Sequence, residues 1–311
     1  MKKYFHFLIL TIILFVILFE GITIGVLTCN PGTYHTNYDS VIVDKYRILQ
    51  NTNEPKIVII AGSSSAFGLN QKMLEDATGY KVVNMGLDAS FGPLFYSELA
   101  KENINAGDIV LLAYEYGWIN GFDKLGQRDI MAGIDDNIDL YKHIPIGRWG
   151  DFIGFLFGYA AMKSEHKTYS GIYSREAFDE ETAQLTWPRN SSIDYENHID
   201  LFGTCDLGDA TISENSIDYL SAFKSYIEKR HARVYFVAPP LLKDAIACDY
   251  SAFDLLRQYE EELIGIPYIS DPNDYFFDKS LMFDTIYHCN AEGEVVRTRQ
   301  LIQDLTNANI I

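Results

Sequence analysis

The chain has 311 residues, 48% of them hydrophobic, which is ample for one large α/β core. Its formal net charge is −18, and no basic patch or stripe interrupts that balance, so nucleic acid is excluded as an expected partner. Tyrosine is frequent, at 21 residues, which suits a surface that meets carbohydrate and equally suits a Tyr-rich core margin.

Residues 1–28 differ from everything after them. Lys2 and Lys3 precede an apolar run from Phe7 to Phe19, which resumes after Glu20 and continues to Leu27. That length is about what a bilayer requires, ~20 residues. Lysines at its front orient the amino terminus towards the cytoplasm and the remaining chain outwards. An uncleaved, single-pass signal anchor is therefore the expectation, despite Glu20. A cleavable signal peptide and a lipoprotein box at Val26-Leu27-Thr28-Cys29 are its rivals. Residues 29–54 are polar and read as a stalk.

The domain proper is expected over 55–311. Lys56 to Ala61 is a short apolar run of the kind buried on both faces of a parallel sheet. It breaks at Gly62, where the backbone turns, and then offers Ser63, Ser64 and Ser65. A helix is expected from about 70 to 78, a short strand and turn over Lys81 to Gly86, a helix over about 93–103, and a buried strand over 108–116. Residues 120–214 lose the rhythm and read as an insertion over the cleft. Trp149, Trp187 and its tyrosines suit sugar stacking or a small core of the insertion's own. Asp135, Asn137 and Asp139 have the spacing that opens a calcium loop, but Leu140 stands where such a loop needs glycine, and no metal site is expected. Asn190-Ser191-Ser192 fits an acceptor sequon.

Regularity returns with a helix over about 216–230, a strand at Arg233 to Phe236 stopped before Pro239 and Pro240, a helix over about 253–264 and a short strand at 267–270. A final helix over about 291–306 closes the chain, with Asn290 as its N-cap. Alternating strands and helices imply a parallel sheet with helices on both faces. Of the four cysteines, Cys205 and Cys248 are a possible pair. Cys289 reads as a small buried residue, although it adjoins His288.

The chemistry is concentrated at two places. A serine at the carboxyl end of a first strand stands where open α/β sheets bind ligands. It needs a base, and the base needs an orienting group. His288, with Asp284 four residues before it, supplies both from one loop. An α/β-hydrolase is set aside because the serine follows the first strand and the elbow's second glycine is missing at Ala66. The missing Gly-Lys pair sets aside a phosphate-binding loop.

These blocks resemble the SGNH (GDSL-like) hydrolase superfamily, most closely its membrane-anchored branch that modifies bacterial cell-surface polymers. Gly62-Ser63-Ser64 stands in place of Gly-Asp-Ser. Asp284, Tyr287, His288, Asn290 and Gly293 match the form Asp-x-x-Tyr-His-x-Asn-x-x-Gly. The likeness spans 55–120 and 230–305. It implies a three-layer α/β/α, flavodoxin-like parallel sheet, with Ser64 as nucleophile, His288 as base and Asp284 as its orienter. The oxyanion amides would be those of Ser64 and of Ala89 or Gly86. Glu115 occupies the position of the family's oxyanion asparagine, a departure that leaves it either pointing elsewhere, as a strand-end residue bonded to the backbone, or binding substrate together with Ser63. No cofactor is implied.

Two functions are therefore expected. The first is a serine esterase or O-acyltransferase that works through an acyl-enzyme on an extracytoplasmic glycan or cell-wall polymer. An integral-membrane acyltransferase would be its partner. The second is a non-catalytic binding or assembly module on the same scaffold, which the change at Glu115 favours.

Overall fold

The computed structural model describes residues 2–29, 32–165, 167–208 and 211–311. Residues 30 and 31 of the expected stalk, and 166, 209 and 210 of the expected insertion, lie outside the described residues. The chain is an α/β protein. In order it forms α1 (Lys2–Thr28), α2 (Val41–Asn51), β1 (Lys56–Ala61), α3 (Ser63–Gly68), α4 (Gln71–Thr78), β2 (Lys81–Asn84), α5 (Pro93–Lys101) and β3 (Ile109–Ala113). There follow α6 (Gln127–Gly133), α7 (Trp149–Lys163), α8 (Ile199–Phe202), α9 (Glu214–Lys229), β4 (Arg233–Phe236), β5 (Leu241–Leu242), α10 (Ser251–Ile264), β6 (Phe276–Phe277) and α11 (Ala291–Asn307).

Four strands form one parallel sheet in the order β2-β1-β3-β4. Every residue of β1 and β3 is buried, which is why both read as unbroken apolar runs. Their alternate residues go to opposite cores. Val58, Ile60, Val110 and Leu112 join α2, α5 and α9, while Ile57, Ile59, Ile109 and Leu111 join Leu74 of α4 and Leu301 and Leu305 of α11. The start of β1 is pinned by a fully buried ion pair, Lys56 Nζ to Asp108 Oδ2 at 2.8 Å. Asp108 also accepts the backbone N–H groups of Lys56 and Asn105, so its charge is fully partnered. The strand expected at 267–270 is reduced to a single parallel bridge between Phe236 and Tyr268. Pro267 has no N–H to extend that ladder.

The stalk expectation is corrected. Tyr34 and Tyr38 are buried, and α2 buries Val41, Ile42, Tyr46 and Leu49 in the larger core. These residues recur at helical spacing. The surrounding Asn and Asp gave the stretch a polar average that concealed the stripe. Within 120–214, Ile130, Met131, Phe152, Leu156 and Tyr159 join that same larger core rather than forming one of their own. Asp135 is occupied by Lys163, at 2.5 Å, and by the Tyr159 hydroxyl.

Helix α1 is long and apolar enough to cross a membrane and is almost wholly exposed along its length. Only near its last turn, at Thr23, Val26 and Leu27, is it half-buried. There the Lys163 ammonium of α7 donates to Leu27 O at 3.3 Å.

Candidate active site

Gly62 ends β1 in extended backbone, and α3 begins at the next residue. Successive helical residues point about 100° apart, so the three serines cannot share an environment. Ser64 and Ser65 are fully buried, and neither hydroxyl has a partner. Ser63 alone stays partly open. Its Oγ lies 2.7 Å from His288 Nε2, and His288 Nδ1 lies 2.8 Å from Asp284 Oδ1. A carboxylate at Nδ1 holds the proton there and leaves Nε2 to accept the Ser63 O–H.

The imidazole is held on several sides. It stacks on Phe67 of α3, with 3.9 Å between ring centroids and 6° between planes. Its backbone N–H donates to Thr285 Oγ1 at 3.0 Å, and Phe283 N–H donates to His288 O at 2.8 Å, closing the loop around Asp284. Asn290 then caps α11 by accepting the Gly293 N–H, as its place before the helical run implies. The outer oxygen of Asp284 accepts the Tyr173 hydroxyl at 2.5 Å. Burial first, and that bond second, raise the Tyr173 pKa, so it remains a donor.

The expected nucleophile, Ser64, is therefore corrected by one residue: the hydroxyl brought to His288 is that of Ser63. A single step along a helix separates a side chain facing the cleft from one facing the core. Ser64 serves through its backbone. Its N–H donates to Glu115 Oε1 at 2.9 Å, and its carbonyl accepts Arg297 Nη1 of α11 at 2.6 Å. Cys289 is buried beside Arg297 and Arg189, and burial pushes its thiol up to about 12. It is a small buried residue, as read from the sequence, and its thiol stays protonated.

The amide candidates separate as cleanly. Gly86 N–H is engaged by Asn84 Oδ1 at 2.9 Å, and Asn84 Nδ2 donates to Ser65 O at 2.8 Å. Gly86 is thus not an open donor. A Cβ there would come within 2.7 Å of Gly62 O, so close backbone approach explains the glycine. Ala89 is exposed. It lines a cleft of about 500 Å³ with Glu115, Tyr96 and Trp118. The Glu115 carboxylate lies over Gly62, where an added Cβ would be 2.3 Å from Oε2.

Tyr173, Phe67, Arg297 and the Asn84 side chain escaped the sequence reading. Asn84 stood in a recognised block, and Phe67 lies four residues after Ser63 on the same short helix. Tyr173 carried no signal: one of many tyrosines in an aperiodic stretch, it reaches Asp284 only through the tertiary fold. Neither a family model nor a curated protein matches this chain.

Proposed function

We propose that the protein is a serine esterase or O-acyltransferase acting on acyl groups of an extracytoplasmic glycan or cell-wall polymer, with Ser63 as nucleophile. The observation that carries this reading is the hydrogen-bonded chain from Ser63 Oγ through His288 to Asp284. Ser63 Oγ attacks the ester carbonyl while His288 Nε2 takes its proton. His288 then returns that proton to the departing alcohol, leaving an acyl-Ser63 ester. A water or sugar hydroxyl, deprotonated in turn by His288, attacks this ester, and His288 returns the proton to the departing Ser63 Oγ. Asp284 stabilises the imidazolium formed in each half, and Tyr173 keeps Asp284 aligned. The backbone amide of the exposed Ala89 is the oxyanion donor in this scheme.

The scaffold is proposed to be SGNH-like, with a three-layer, flavodoxin-like sheet. The order β2-β1-β3-β4, continued by the Phe236–Tyr268 bridge, supports it. Helix α1 would hold the domain on the outer face of the cell membrane, with an integral-membrane acyltransferase as acyl donor. Anchoring beside such a donor favours transfer over free hydrolysis. One observation favours the second reading, a non-catalytic glycan-binding module: Glu115 puts a carboxylate where a developing oxyanion needs donors.

A serine-directed fluorophosphonate probe on the full chain in detergent tests the proposal. Labelling that is lost in Ser63→Ala and weakened in His288→Ala supports catalysis. Intact protein that takes no label favours the binding module.

A further inference from the structure

Helix α7 presents an apolar face to the outside. Gly150, Ile153, Gly154, Phe157, Gly158 and Ala161 recur at the three- and four-residue spacing of one helix face, and all are exposed. None carries a charge or a hydrogen-bonding side chain. Phe157 is 74% exposed, and Ile146, just before the helix, is 91% exposed. The opposite face, with Phe152, Leu156 and Tyr159, is buried in the core. A helix with large apolar residues on two opposite faces is ordinarily covered on both. In a chain with a net charge of −18, the stripe carries no carboxylate beyond the first turn of α7, where the exposed Asp151 lies beside Arg148.

What covers it follows from its neighbour. Helix α7 packs against the end of α1, and Lys163 joins the two by donating to Leu27 O while pairing with Asp135. Helix α7, with its exposed apolar residues, therefore lies beside the end of α1, whose own surface is exposed and apolar. Trp149, half-buried at the start of α7, is a residue type enriched where membrane meets water.

We propose that α7 lies in the outer interfacial layer of the bilayer that α1 crosses, with Ile153 and Phe157 in the boundary between headgroups and acyl chains. The inference rests on α1 spanning that bilayer. Helices of this kind sink about 5–10 Å into the interface. The lipid surface would then be a second, fixed contact of the folded domain, and the orientation of the domain on the membrane would be set by two helices rather than one.

The test uses the full chain in phosphatidylcholine–phosphatidylglycerol vesicles, in a Cys29→Ser, Cys248→Ser background. A polarity-sensitive thiol dye is placed singly through Phe157→Cys, Leu14→Cys or Glu228→Cys. Quenching is read with lipids spin-labelled either near the headgroup or deep in the chain. The expected result is a blue-shifted dye at 157 quenched most by the shallow label, a dye at 14 quenched most by the deep label, and a dye at 228 quenched by neither. Quenching at 14 with none at 157 overturns the proposal and leaves the membrane span intact. No quenching at either position removes both. A shielded, unquenched dye at 157, with Phe157→Cys chains that cross-link to one another, assigns the face to a second copy instead and overturns the proposal.

Discussion

The Ser64 amide donates to Glu115 Oε1 at 2.9 Å, one residue beyond the hydroxyl that His288 engages. A carboxylate in that place can only accept, and its charge opposes the negative oxygen of a tetrahedral intermediate. Glu115→Gln keeps an acceptor for the Ser64 amide and adds a donor. The expected outcome is a faster turnover of a small model ester, by about 10-fold or more, since one oxyanion donor is worth roughly 10²–10³. Steady-state hydrolysis of a nitrophenyl ester measures it. A rate unchanged or lowered would place the role of Glu115 in positioning the β1–α3 turn.

Ser63 and Ser64 separate in a direct comparison. Ser63→Ala is expected to lower ester turnover by about 10³-fold or more, with folding intact. Ser64→Ala removes a buried hydroxyl that has no partner, so it should leave turnover within a few-fold. Circular dichroism and probe labelling of the two variants check this.

Under the proposed function Tyr173 acts through Asp284, to which it donates at 2.5 Å, its hydroxyl lying also 3.4 Å from His288 Nδ1. Losing one neutral-to-charged hydrogen bond corresponds to roughly 1.5–3 kcal/mol. Tyr173→Phe should therefore lower kcat about 10-fold or more while leaving KM near its original value. Asp284→Asn should cost far more, about 10⁴-fold, by removing the group that holds the imidazole tautomer. An unchanged rate in Tyr173→Phe would remove Tyr173 from this role.

Asp39 gives the fold a pH dependence. It is buried, with one oxygen unpartnered and the other bonded by Asn37. Burial, then Asp88 and Asp129, push its carboxyl up to about 8. The unfolded chain releases this proton near the ordinary carboxylate value, whereas the fold retains it. The stability this group contributes is therefore full below its unfolded value, falls as pH rises, and is gone above about 8. Asp39→Asn removes that slope. Between about pH 5 and about pH 8, wild type should lose on the order of 2–4 kcal/mol relative to the variant. Denaturant titration at both values measures it.

The buried pair beneath β1 should respond strongly to losing one member. Asp108→Ala leaves the Lys56 ammonium in a core position with no counter-charge. Breaking such a pair costs about 3–5 kcal/mol. Replacing both, Lys56→Met with Asp108→Leu, should cost less than the single change. Thermal unfolding of the three variants gives the comparison.

Much of the sheet was readable because β1 and β3 are buried on both faces and so carry unbroken apolar runs. The His288 loop was readable because its residues are close in sequence. The identity of the serine was not, since three adjacent serines differ only in the direction in which a short helix turns them. Helix α2 was missed because its stripe of Val41, Ile42, Tyr46 and Leu49 is thin and its surroundings are polar. Tyr173 and Arg297 were out of reach for another reason. Each meets the site through contacts more than a hundred residues long, and no local pattern encodes such a meeting.

The hydroxyl of Ser63 and the ring of His288 are 225 residues apart in the chain. During synthesis the serine emerges early, and its base arrives only with the final loop and helix. Until then the nascent polypeptide carries an ordinary alcohol with no base beside it, so under the proposed function activity would begin only once the last loop and helix have folded.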